Sequence, residues 1–494
     1  MVKRRRRLTM VKRSRRLTGG QATAPPYGKR VKLINVQSQI LPPAEAMSMF
    51  STQPTQNPDV LQVRQVAYRP TTSLDDRNDI IEILMTGSFN EYVRPKDMRL
   101  RIKGKIVKVD GSDMTKKVVG RAAADGVTAI TAVQGDHEKL TLSWMGMYGF
   151  FSDQQVYVNG EMIDTSNNQF QHRAATYLRT HVDTKQLENE YNFAGVVTSY
   201  PQNLDNYTVT ENVRDNVYEK TQDIEDSKEF TYTGRIMTPL CECAGYLPTN
   251  TEIRFVWKKS DAKHYLNCAD TDADKWMLKI TSMELLVPKL RLDPELAMKL
   301  EARMQQGPAK FPMRNWTTTF ISMGANQKQI IQEGWMSGDS PLYIIATMID
   351  PARFHGKASL SSTKYDEFNL REMKICLEDE HERRLPIKVT PDDKSQAVLT
   401  LLESLGYLDP LNYKKCLIGR NNFKDLPVFF FNETNDTVIH SDVYSEMKAG
   451  NQRIELELET PHNGTIIIIL HCIFQAELKI FADRRVMFHN KAAS

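Results

Sequence analysis

The chain has 494 residues, 40% of them hydrophobic, six cysteines and a formal net charge of +4. That length implies two or three domains able to bury a sizeable core, and no apolar run is long enough to cross a bilayer as a helix, residues 466–470 being strand-sized and ending at His471. The amino terminus has charge but no apolar segment behind it, which argues against secretion, and six scattered cysteines without a paired framework suit a reducing, intracellular compartment.

The near-neutral total hides a split. Residues 1–32 contain Lys3, Arg4, Arg5, Arg6, Arg7, Lys12, Arg13, Arg15, Arg16, Lys29, Arg30 and Lys32, and no acid. Removing those 12 from the 65 basic residues leaves 53 against 61 acidic ones, so the remainder carries a formal −8. Residues 1–9 are nearly repeated as residues 10–18, a local duplication that makes Met10 a candidate alternative start. Gly19-Gly20, Pro25-Pro26, Pro42-Pro43 and a Gln/Thr/Ser-rich stretch follow. With little to bury, residues 1–58 read as a disordered basic arm.

Strand signals then dominate. Residues 80–85 form a short apolar run. Leu100, Ile102 and Ile106 occupy one face of a strand, with Arg99, Arg101, Lys103 and Lys105 on the other. Asp110-Gly111 marks a turn, and Asn159-Gly160 closes a hairpin after a strand over residues 150–158. A helix is expected within residues 171–185, a polar surface excursion over 186–230, and further strands at 231–237 and 252–257.

Residues 276–312 read as the joint. A strand ends at Pro288, and a helix opens with Asp293 as N-cap and Pro294 in its first turn. Leu296, Leu300 and Met304 form a stripe expected to pack against a sandwich wall, and Gly307-Pro308 stops the helix. Beyond it, strands are expected at 317–321, 342–349, 369–377, 385–389 and 428–431, with a helix over 395–405. Ile454, Leu456 and Leu458 alternate with Glu455, Glu457 and Glu459, and residues 461–464 turn the chain into an apolar strand over 465–480. That pair reads as an antiparallel hairpin with one buried face. The whole is all-β with inserted short helices. It reads as two tandem jelly-roll β-sandwiches, a double jelly roll, preceded by the disordered basic arm. The divisions are an arm over 1–58, a first jelly roll with long insertions over 59–290, a connecting helix over 291–312, a second jelly roll over 313–488 and a tail over 489–494.

Catalytic signals are sparse. The chain has no GxxxxGK or GxGxxG phosphate loop, no GxSxG elbow and no HExxH pair. Cys241, Cys243, His264 and Cys268 are the leading metal candidates, yet a one-residue gap between two zinc cysteines is unusual, and buried free cysteine ordinarily packs as a small hydrophobe. Glu378, Asp379, Glu380, His381 and Glu382 read as a solvated turn with no catalytic partner. Trp316, Trp335 and Phe429 to Phe431 suit core or inter-subunit contacts. No catalytic residue, metal or cofactor is assigned. The cations of residues 1–32 suit either sequence-independent contact with nucleic-acid phosphates or a nuclear import signal.

Several stretches resemble the double jelly-roll major capsid proteins of Maverick/Polinton-type elements and adintovirus-like agents, including copies settled in invertebrate genomes. They are residues 81–85 (Ile-Glu-Ile-Leu-Met), 98–112 (Met-Arg-Leu-Arg-Ile-Lys-Gly-Lys-Ile-Val-Lys-Val-Asp-Gly-Ser) and 150–160 (Phe-Phe-Ser-Asp-Gln-Gln-Val-Tyr-Val-Asn-Gly). Leu-Val-Pro-Lys-Leu at 286–290, Ala-Lys-Phe-Pro at 309–312 and Ala-Glu-Leu-Lys-Ile at 476–480 keep the same order. The similarity runs from about Ala67 to Val486. The resemblance implies a structural virion protein without enzymatic residues: a homotrimer forming pseudo-hexagonal capsomers of an icosahedral shell. It implies other capsid proteins as further partners, an arm facing genomic DNA or an import receptor, and assembly in the host nucleus. A nuclear, nonspecific nucleic-acid-binding protein without an assembly role and a β-sandwich hydrolase are the competing readings.

Overall fold

The computed structural model describes residues 60–75, 78–116, 121–122, 129–130, 135–197, 204–205, 221, 223–377, 387–389, 394–409, 414–434 and 450–490. The basic clusters of residues 1–32 and the acidic run 378–382 lie outside the described residues.

The first half supplies β1 (Val60–Tyr68), β2 (Ile80–Met85), β3 (Tyr92–Val93), β4 (Arg99–Lys108), β5 (Arg121–Ala122), β6 (Ala129–Ile130), β7 (Leu140–Leu142), β8 (Phe151–Val158), β9 (Glu161–Thr165), β10 (Phe230–Arg235), β11 (Ile253–Lys259), β12 (Leu266–Cys268) and β13 (Trp276–Leu292). Two four-strand orders result, β1-β13-β4-β10 and β2-β11-β8-β9, with β3 added beside β13. The alternation along β4 holds, since Leu100, Ile102 and Ile106 are buried while its Arg and Lys side chains face outward. Asn159 and Gly160 both have positive φ, 47° and 86°, the conformation a two-residue hairpin turn needs between β8 and β9.

The second half supplies β14 (Ala309–Met323), β15 (Gln329–Met336), β16 (Tyr343–Ile349), β17 (Leu370–Leu377), β18 (Ile387–Lys388), β19 (Phe429–Asn432), β20 (Gln452–Leu458), β21 (Ile466–Ile480) and β22 (Val486–Asn490). Its sheets run β14-β21-β16-β19 and β15-β20-β17-β18, with β22 beside β21. Numbering the eight principal strands of each half in chain order, both halves read 1-8-3-6 in one sheet and 2-7-4-5 in the other. The chain therefore holds the same jelly-roll connectivity twice.

Four expectations about the strands and their connections change. Pro288 does not end a strand, because β13 continues to Leu292. On one side the ladder to β4 stops at Leu286–Arg99 and β3 meets only Lys289 and Leu290, so the proline falls in a gap between two partners. β20 and β21 are not a hairpin: the turn between them carries the chain from one sheet to the other. The alternation marks which face of β20 meets the core, which is the same for either connection. β21 is buried on both faces rather than one. Finally, the stretch read as a surface excursion includes buried Leu187, Tyr191, Ala194, Val196 and Ile224, while residues 206–220 lie outside the described residues.

Part of the second face of β21 is covered, at His471, by the helix α1 (Phe170–Thr180), ten of whose eleven residues are buried, while Ile467 and Ile469 on that face pack against Ile349, Tyr365 and Phe354. Gln171 donates to the Gly149 carbonyl (2.6 Å) and Arg173 pairs with Asp164 of β9 (2.8 Å), which fixes α1 to the first sandwich. From the same helix Thr176 bonds His471 of β21 (3.1 Å), and Arg179 donates to the Thr363 carbonyl (2.6 Å). The helix is thus a rivet between the sandwiches. A second clamp lies at Asp205, held by Arg353 and by Lys364 (2.7 Å). Burial pushes the Asp205 carboxyl up, but hydrogen bonds from Arg353, Lys364 and the Ser361 amide outweigh it and hold it at about 2.

The connecting helix α2 (Pro294–Gln306) is capped as expected, Asp293 accepting from the Glu295 amide at 3.0 Å. Its apolar stripe is not a packed seam. No residue of α2 is buried and Leu300 is 36% exposed. The helix is instead tethered by Glu301, which accepts from Arg484 (2.6 Å) and Thr249 (3.1 Å), while Met304 packs lightly on the core. A third helix, α3 (Ser395–Ser404), buries Ala397, Val398 and Leu401 in the second core as its spacing predicts.

Candidate assembly surfaces

The four zinc candidates do not converge. Cys241 lies within a helical turn beside β14 and Cys243 caps that turn, its thiol facing the Pro312 carbonyl at 3.4 Å. Cys268 is paired with Leu140 on a separate two-strand sheet, and His264 lies on the turn before it. Burial pushes the thiols up, Cys243 to about 12 and Cys268 to about 11, which disfavours the thiolates a metal would need. Among the described residues no three His, Cys, Asp or Glu side chains form a metal site. Trp316 and Phe429 to Phe431 are buried in the second core.

The surface offers two kinds of feature. Edge strands β1 and β15 are long and exposed, with Leu61 at 54%, Val63 at 62% and Ile331 at 51%. Unpaired edges of this kind invite pairing or covering by another chain. The second feature is a concave basic face. The outward side chains of β4 and β10, with Glu190 and Phe193 reaching over them, line a cavity of about 600 Å³: Arg99, Arg101, Lys103, Thr231 and Thr233.

The electrostatics of that face are unbalanced. Arg99 (2.7 Å) and Arg235 (2.5 Å) share the single carboxylate of Glu190. Arg101 (3.4 Å) and Arg69 (3.5 Å) share Glu284. Phe193, on the rim, is 72% exposed. The cations of β4 are legible from the sequence as the outer face of an amphipathic strand. Glu190 and Phe193 are not, because they arrive from a polar segment without periodicity.

With the fold in hand, its likeness to solved structures is broad and remote in sequence. The Sputnik virophage structure matches with a TM-score of 0.57 at 11% identity, covering 96% of this chain and 94% of that one. The quasi-atomic model of the PBCV-1 virus capsid matches at 0.54 and 11% identity, over 90% of this chain and 100% of that one. PBCV-1 VP54, fitted into a reconstruction of Sputnik, matches at 0.52 and 12% identity with the same coverage. No protein-family model and no curated protein sequence matches the chain. The matched structures are double jelly-roll capsid proteins, and the likeness together with the repeated 1-8-3-6 and 2-7-4-5 strand orders establishes the double jelly-roll fold here.

Proposed function

We propose that the chain is a viral or virus-derived major capsid protein. Three copies form a pseudo-hexagonal capsomer, and capsomers tile an icosahedral shell. The observation that carries this reading is the double jelly-roll connectivity matched along nearly the whole chain by capsid structures. Two equivalent sandwiches per chain present six similar units when three chains close around a threefold axis. The proposed divisions are the basic arm (1–58), the first jelly roll (59–290), the connecting helix (291–312), the second jelly roll (313–488) and a tail (489–494). The arm, with Lys3 to Arg7, Lys12 to Arg16 and Lys29 to Lys32, faces the genome or serves nuclear import. Assembly then takes place in the host nucleus, with other capsid proteins as partners, and the lineage is of the Maverick/Polinton or adintovirus kind.

Native mass spectrometry and electron microscopy of the expressed chain test the reading. Trimers with a hexagonal outline are expected. A strictly monomeric protein at micromolar concentration overturns the capsomer and favours a nucleic-acid-binding protein without an assembly role.

A further inference from the structure

We infer that the concave basic face of β4 and β10 is the docking surface for a carboxylate-bearing face of a second copy of this chain. The inference rests on the capsid reading and assigns one of its contacts to named residues. On this face each of two glutamates, Glu190 and Glu284, is shared by two arginines. An arginine carries five donors in a planar fork and binds a carboxylate bidentately, so a shared partner leaves donors and charge for a further anion. Lys103, paired across the sheet with Thr231 and Ser282, and Lys279 have no ion-pair or hydrogen-bond partner among the described residues. The face is therefore under-neutralised on a chain that carries a formal −8 outside residues 1–32.

That contrast identifies the occupant. Net-acidic copies repel one another in most orientations, and the approach that places acidic side chains against this face is attractive. A continuous phosphate backbone fits less well, because Glu190 and Glu284 interrupt the cations and a polyphosphate brings a charge at every step. A protein surface sets isolated carboxylates between those acids and an apolar side chain against Phe193. Arginine and exposed aromatic rings together are also the composition of interface hot spots.

The test is sedimentation velocity of the full chain and three variants over a range of protein and salt concentrations. Lys103→Glu reverses an unpaired charge, Arg101→Gln with Lys103→Gln removes two charges without adding repulsion, and Phe193→Ser removes the exposed ring. The wild type is expected to self-associate more weakly as salt rises. Lys103→Glu should weaken association by about tenfold or more and flatten its salt dependence, with an unchanged melting temperature. Phe193→Ser, at an exposed side chain, keeps the test decisive if a charge variant misfolds. Variants that associate like an oligomeric wild type overturn this surface and leave the capsid reading standing. A monomeric wild type overturns both. Unchanged self-association with weakened binding of a DNA duplex assigns the face to polyphosphate and also overturns the inference.

Discussion

At the scale of single residues, polar groups rather than apolar ones set the terms at the rivet. The Arg173 and Asp164 side chains are 5% and 0% exposed and joined by two hydrogen bonds, 2.8 and 3.1 Å. Removing one partner leaves a buried charge uncompensated. Asp164→Ala should therefore cost about 3–5 kcal/mol in chemical denaturation, and the apolar pair Arg173→Met with Asp164→Leu should recover most of it. Three histidines sit close by. His172 stacks on Phe354, His181 bonds Tyr343 (2.9 Å), and His471 bonds Thr176 (3.1 Å) and Thr318 (2.9 Å). Burial pushes each down to about 3, helped by Arg179 and His264 at His172, Arg314 at His181, and His172 and Arg173 at His471. They are neutral when folded and titrate near pH 6.5 when unfolded, so their stabilisation is complete above about pH 6.5 and is lost as pH falls towards 3. Each uncharged histidine then weakens folding by about tenfold per pH unit in that window. Replacing His172 with Phe should reduce the pH slope of unfolding between pH 5 and 6 by one proton. An unchanged slope would show that His172 already binds a proton in the fold. The six cysteines are all buried. Thiol reagents at neutral pH should leave them unlabelled until denaturant is added, and a chelator should leave the melting temperature unchanged.

At the scale of elements, the contrast between α1 and α2 decides where the two sandwiches are held. Leu178 is fully buried on α1, whereas Leu300 on α2 is 36% exposed. Leu178→Ala should cost about 2–5 kcal/mol and Leu300→Ala less than about 1 kcal/mol in thermal or urea unfolding. Equal losses would mean that the connecting helix is packed as tightly as the rivet. The sequence points the other way, and the reason is physical. A capped helix with Leu296, Leu300 and Met304 at helical spacing looks like a packed face, while α1, with Gln171, His172, Arg173, Thr176 and Arg179, looks like a solvated one. Periodicity reports how apolar a face is, whereas α1 is buried partly by polar contacts that its own sequence does not announce, to Gly149, Asp164, Thr363 and His471. The strands of half-buried sheets were legible for the converse reason. In β4 and β20 the alternation follows the pleat, and Asn159-Gly160 carries its own turn geometry. Sheet membership was not legible, since strand 7 and strand 8 of a jelly roll lie in opposite sheets whatever their alternation. The continuous apolar run of β21 is the trace of its double burial, one face in the core and the other against Ile349, Tyr365 and Phe354, with α1 reaching it at His471.

At the scale of the whole molecule, charge separates the proposed roles of arm and body. Residues 1–32 hold 12 cations and no acid, and the rest of the chain is formally −8. Polyanion binding that depends on the arm should release counterions, with log affinity falling against log salt by about 0.9 for each phosphate neutralised. Six such contacts would lower affinity by about a thousandfold or more between 50 and 200 mM salt. Deleting residues 2–32 should abolish this binding to duplex DNA, since the remaining net-acidic body repels phosphate, and should leave the melting temperature and the number of chains in the proposed trimer unchanged. The same deletion in cells, read by the nuclear fraction of a fluorescent fusion, separates import from packaging. Loss of nuclear entry with DNA affinity retained assigns the arm to an import receptor, and the reverse assigns it to the genome. A truncated chain that keeps both would remove the arm from either role. A truncated chain that no longer forms trimers would place the arm in the contacts between copies, because the clusters from Lys3 to Lys32 would then be meeting acidic groups of a neighbouring body rather than phosphate.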